Sequence, residues 1–92
     1  MESAALLSAL LELAAEVGLA VRRIPASQQD DLSPAGSGSC LLHGRPLVLL
    51  SAADPAERQL EVLAGALREF AGEALEMRFL PPAIRACLER DA

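Results

Sequence analysis

Apolar residues along this chain follow two different rhythms, and the change from one to the other marks out the elements. From Ala4 to Val17 they recur with helical spacing. Leu6, Leu10, Leu13 and Val17 make one face, Leu7, Leu11 and Ala14 widen it, and Ser8, Glu12 and Glu16 take the other side. Ser3 stands where an N-cap is wanted, and Gly18 where a left-handed stop is wanted. The apolar arc is wide for a surface helix, so it is either sandwiched inside the domain or met by another chain. Leu19 to Ile24 reads as a strand, and Arg22-Arg23 breaks its alternation and places it at a sheet edge.

Pro25 ends that strand, and residues 26–39 form a predicted flexible loop, rich in Ser, Gly, Gln, Asp and Pro with Leu32 as its one apolar anchor. Cys40-Leu41-Leu42-His43 and Leu47-Val48-Leu49-Leu50 are short β-type runs, predicted to form a hairpin across Gly44-Arg45-Pro46. Asp54-Pro55-Ala56-Glu57 has the composition of a helix start: a capping Asp, Pro at the first helical position and Glu completing a capping box. The helix is expected to run to about Ala71, with Leu60, Leu63, Ala64, Leu67 and Phe70 on one face and Gly72 closing it. Leu75, Met77 and Phe79 alternate with Glu76 and Arg78, which predicts a short strand over 74–80. Pro81-Pro82 resets the chain into a last short helix whose face is Ile84, Cys87 and Leu88.

The predicted order is α-β-β-β-α-(β)-α, an α+β fold. A small antiparallel sheet of three to four strands would carry two longer helices and a short C-terminal one. At 92 residues there is room for a single domain, which hides roughly 60–65% of the surface its extended chain would expose. Hydrophobic residues make up 52% of the chain but Phe70 and Phe79 are its only aromatics, so the core must be aliphatic. Each large aliphatic side chain fully buried is worth roughly 1.5–3 kcal/mol. Aliphatic surface left over would form a natural seam between chains.

The net charge of −5 repels phosphate backbones and anionic lipid, so neither nucleic acid nor membrane is expected as a partner. All eight basic residues are arginine, and Arg22-Arg23 is the sole basic doublet. The apolar start lacks a basic leader and is interrupted by Glu12 and Glu16, which argues against a signal peptide. With two cysteines, Cys40 and Cys87, there is no disulfide framework, and a cytoplasmic bacterial protein with free thiols is the economical expectation.

Candidate chemistry is sparse. Cys40 and His43 are the residue types of a thiol nucleophile and its base, but an i, i+3 pair on one strand points to opposite faces. Cys40 therefore reads first as a small buried hydrophobe and His43 as a surface residue beside the turn. Cys40, His43 and Cys87 lack the close Cys-x-x-Cys spacing of zinc sites, so neither metal nor cofactor is expected. Gly36-Ser37-Gly38-Ser39 leads into a strand rather than opening a helix, unlike a phosphate cradle. Asp30-Asp31 falls in the loop and Glu57/Glu61 on a solvated helix face, so both carboxylate pairs read as structural.

Helix, strand, hairpin and capped helix over residues 4–71 resemble the start of small zinc peptidases of the phage-repressor-cleaving and stress-response type. In that family the helix after the hairpin carries His-Glu-x-x-His. Here Leu63-Ala64-Gly65-Ala66-Leu67-Arg68-Glu69-Phe70 keeps the scaffold positions Leu63, Ala64 and Leu67, while Gly65, Ala66 and Glu69 stand where the two histidines and the glutamate would be. His43 is the only histidine in the chain, so the resemblance implies an inactive scaffold that has lost its metal. Leu80-Pro81-Pro82-Ala83 is also similar to the ending of a family of small bacterial proteins, a likeness that implies no activity.

The expectation from sequence is a non-catalytic binding or assembly module, with a protein partner or a second copy in a homodimer. Leu7, Leu11, Arg22 and Arg23 are the candidate interface. The alternative is a thiol-dependent enzyme or small-ligand binder using Cys40 and His43.

Overall fold

A computed structural model describes residues 2–25 and 36–90. Helix α1 (Ser3–Val17) leads to strand β1 (Ala20–Ile24), and strands β2 (Gly38–Leu42) and β3 (Arg45–Ser51) follow. Helices α2 (Ala56–Glu76) and α3 (Pro82–Arg90) complete the order, giving an α+β fold with a small three-stranded sheet.

Helix α1 forms where the periodicity places it, but the residue at its N-cap is Glu2, with no side-chain cap, so Ser3 lies in the first turn. Gly18 ends it at φ 82°, and the amide of Leu19 reaches back to the carbonyl of Ala14 at 2.9 Å.

The sheet order is β1-β3-β2, and β3 is the central strand. Its antiparallel neighbour is β2, whereas β1 runs parallel to it with Val21 opposite Val48 and Ile24 opposite Ser51. The sheet is thus mixed rather than antiparallel throughout. β1 reaches its parallel partner by way of β2, whose antiparallel course returns the chain so that β3 can run in the direction of β1. Leu47-Val48-Leu49-Leu50 is the most apolar strand and takes the most protected place, leaving the arginine strand at one edge, as expected for Arg22-Arg23.

The hairpin turn is His43-Gly44 rather than Gly44-Arg45-Pro46, and both turn residues have positive φ, 53° and 79°. That pair of angles belongs to a type I′ turn, whose twist matches the strands it joins. Pro46 consequently lies inside β3 opposite Leu41, a pair that the register makes non-hydrogen-bonded on that side. Of the loop expected over 26–39, residues 26–35 lie outside the described residues. Gly38 and Ser39 belong to β2, and Ser37 is buried.

Helix α2 does not stop at Gly72. It continues to Glu76 through a kink at Ala71 (φ −133°, ψ 20°), so no strand forms over 74–80. Glu73, Ala74, Leu75 and Glu76 are strong helix formers, and Leu67, Ala71 and Leu75 keep the i, i+4 spacing. Leu75 is buried on that helical face, while Met77 and Phe79, which alternation would have paired with it, are exposed.

One face of the sheet is covered. Val48 and Leu50 of β3 pack with Leu10 and Ala14 of α1, Leu60, Leu63 and Leu67 of α2, and Ile84, Cys87 and Leu88 of α3. The buried cluster is aliphatic apart from the Cys87 thiol, and Phe70 packs partly buried against it.

Candidate functional site: an open sheet edge and an apolar turn

At the start of β2 a short polar brace sets the strand's position. Gly36, at φ 87°, lets the chain pass so close to Asp54 that a β-carbon there would lie 3.1 Å from its Oδ2. The Ser37 amide then donates to Asp54 Oδ2 at 2.8 Å, and the Ser51 amide donates to Ser37 Oγ at 2.8 Å. Gln59 Nε2 donates to the Asp54 carbonyl at 2.9 Å, tying the same corner to the first turn of α2.

The Ser37 hydroxyl, and after it the Ser37 amide, hold the Asp54 carboxyl below the ordinary aspartate value of 3.8; Arg58 adds a smaller push in the same direction against a partial desolvation. Asp54 was expected to cap α2. Instead α2 begins at Ala56 with Pro55 in the N-cap position and no side-chain cap, because the Asp54 carboxylate is turned toward Ser37.

Beyond the brace, β2 is a bare edge. Gly38-Ser39-Cys40-Leu41-Leu42 carries no charge, and from Ser39 onward every residue is exposed. In a two-residue hairpin the pair flanking the turn, Leu42 and Arg45, is hydrogen-bonded. Alternation then directs Cys40 and Gly38 toward β3, while Ser39 and Leu41 turn their main-chain N–H and C=O groups outward.

Directly opposite residues share a face of the sheet. Cys40 lies opposite Leu47, so it stands with Leu42, Leu47 and Leu49 on the face away from the helices. That face is apolar, with Arg22 and Arg45 at its margins. Leu41 is 64% exposed and Leu42 54%.

A second apolar feature is the turn between α2 and α3. Met77 is 88% exposed and Phe79 91%. Between them Arg78 anchors the turn to α1, its Nη1 lying 3.2 Å from Glu16 Oε1. A neighbouring cleft of about 310 Å3 between α2 and α3 is lined by Leu75, Leu80 and Leu88. Its rim mixes Arg68 and Arg85 with Glu76 and Glu89, so neither sign of ligand charge is favoured.

The residues singled out from sequence are scattered. Leu7 is buried in the core and Leu11 is partly buried against it, so the wide arc of α1 is largely consumed within the chain. Arg22 and Arg23 are exposed on the edge strand β1. Cys40 is exposed, contrary to the expectation of a small buried hydrophobe, because β2 lies at an edge of the sheet. His43 is an exposed turn residue, and Cys87 is buried in α3. Among the described residues, no three His, Cys, Asp or Glu side chains come together in a metal-binding group. No helix of the described residues is long and apolar enough to cross a membrane.

Sequence reasoning missed the Ser37–Asp54 brace and the exposure of Leu41, Leu42, Met77 and Phe79. No charge in 38–42 marks β2 as an edge in the way that Arg22-Arg23 marks β1. No protein-family model, curated protein or solved structure matches the chain.

Proposed function

We propose that this chain is a non-catalytic assembly module that joins another protein chain through apolar side chains standing in solvent. The observation that carries this reading is the exposure of four large apolar residues in two places, Leu41 and Leu42 on an uncharged strand edge and Met77 and Phe79 on the α2–α3 turn. Water-exposed apolar surface of this kind is relieved by burial against a partner. The aliphatic core is built from other side chains, including most of α1, and none of these four belongs to it.

The simplest occupant is a second copy. Light scattering over a concentration series tests this: the expected result is a mass rising from 9.6 kDa toward twice that value. A constant monomer mass at every concentration would remove the self-assembling form.

A further inference from the structure

We infer that β2 is the seam, and that two copies of this chain pair their β2 strands antiparallel about a two-fold axis passing beside Cys40. This rests on the assembly reading above and adds the edge, the register and the partner to it.

The phase of the hairpin selects the register. Ser39 and Leu41 are the residues whose main-chain groups point away from β3, so an incoming strand must bond to them. A two-fold at Cys40 sets Ser39 of each copy opposite Leu41 of the other, and both pairs then exchange N–H···O=C bonds. Cys40 meets its own counterpart in the non-hydrogen-bonded position between them, where side chains come closest. Each mate's hairpin tip, with His43 and Arg45, would then lie toward the Gly36–Ser37 end of the strand, where Asp54 takes up the Ser37 amide. A basic-side tip against a carboxylate makes the two ends complementary in charge, and the strand between them is neutral.

The opposite edge offers no equivalent. Self-pairing through β1 would bring Arg22 and Arg23 against the same arginines of the mate, and like charges placed opposite each other are repelled. The β2 seam also joins the apolar faces carrying Leu42, Leu47 and Leu49 into one surface, and it buries Leu41 on the helix side. The seam is short, so the dimer is expected to depend on concentration.

Cys40 reports the register. Opposed residues in a non-hydrogen-bonded antiparallel pair lie within the Cα separation that a disulfide spans, roughly 4.4–6.8 Å. Treatment with oxidised glutathione at concentrations where the mass has doubled should convert the Cys40 pair into an intermolecular disulfide by two thiol–disulfide exchanges, releasing two molecules of reduced glutathione. A Cys40→Ala variant should give none of this dimer. Leu41→Lys keeps the thiol and places a charge on an already exposed position; it should return the mass to monomer and slow cross-linking at least tenfold. Its unchanged circular dichroism, and a Cys40 thiol titration rate equal to that of wild type at dilutions where both are monomers, would show that the fold and the thiol are intact. If the protein dimerises yet Leu41→Lys remains dimeric and Cys40 does not cross-link, the β2 seam is overturned while assembly stands. If the wild type remains a monomer throughout, both the seam and self-assembly fall.

Discussion

Ser37 and Asp54, separated by 17 positions, are held together by a 2.8 Å amide-to-carboxylate bond, and the Ser37 hydroxyl also stabilises the same carboxylate. A carboxyl whose folded-state pKa is depressed binds its proton more weakly in the folded than in the unfolded chain. Its contribution to stability is therefore complete above the ordinary value of 3.8 and is lost as pH falls below it, through the lowered folded-state value. Urea midpoints followed from about pH 5 to about pH 3 should fall more steeply for the wild type than for Asp54→Asn. Equal slopes would show that this carboxylate is not linked to folding.

Ser37 has a second duty, accepting the buried Ser51 amide. Ser37→Ala removes that hydrogen bond, a loss of roughly 0.5–1.5 kcal/mol. Chemical denaturation is the direct measurement, and a change below the range of error would deny the brace its structural role.

Two glycines with similar backbone angles should respond differently to alanine. Gly18 has φ 82° and open space around an added β-carbon, so Gly18→Ala should cost only the left-handed strain, about 1–2 kcal/mol. Gly36, at φ 87°, would bring the same atom to 3.1 Å from Asp54 Oδ2, and Gly36→Ala should be the more damaging of the two in thermal melts. The reverse order would mean that the Asp54 corner yields easily.

Wherever an element was set by its own residues, it was legible in the sequence. Leu10 and Leu13 on one face and Gly18 behind them define α1, and Leu60, Leu63 and Leu67 define the first part of α2. The edge position of Arg22-Arg23 was legible for the same reason, since charge keeps a strand out of the middle. What depended on distant partners was not legible. The parallel pairing of β1 with β3 is decided by which strand needs most cover, and the direction taken by the Asp54 carboxylate depends on where Ser37 arrives. Leu75, Met77 and Phe79 alternate as a strand would, but no sheet edge meets them, so local helix preference carries α2 to Glu76. The exposure of Cys40 and Leu41 likewise follows from β2 lying outermost, which no local pattern states.

Core and surface apolar residues should separate cleanly. Leu63→Ala, at a fully buried position on α2, should lose about 2–5 kcal/mol through lost contacts and the cavity left behind. Phe79→Ser, at a side chain 91% exposed, should change stability by no more than about 0.5 kcal/mol. Denaturant titration of both variants checks this, and a large loss at Phe79 would mean that the turn is packed rather than free.

The unequal edges of the sheet bear on how far association can run. A pairing through β2 matches one patch to itself, and it leaves an arginine-bearing β1 strand at each outer margin. In such a pair those margins would repel further copies, so growth would end at two chains and an open-ended fibre would be disfavoured. Arg22 and Arg23 would then act as terminators, limiting the assembly to a finite particle.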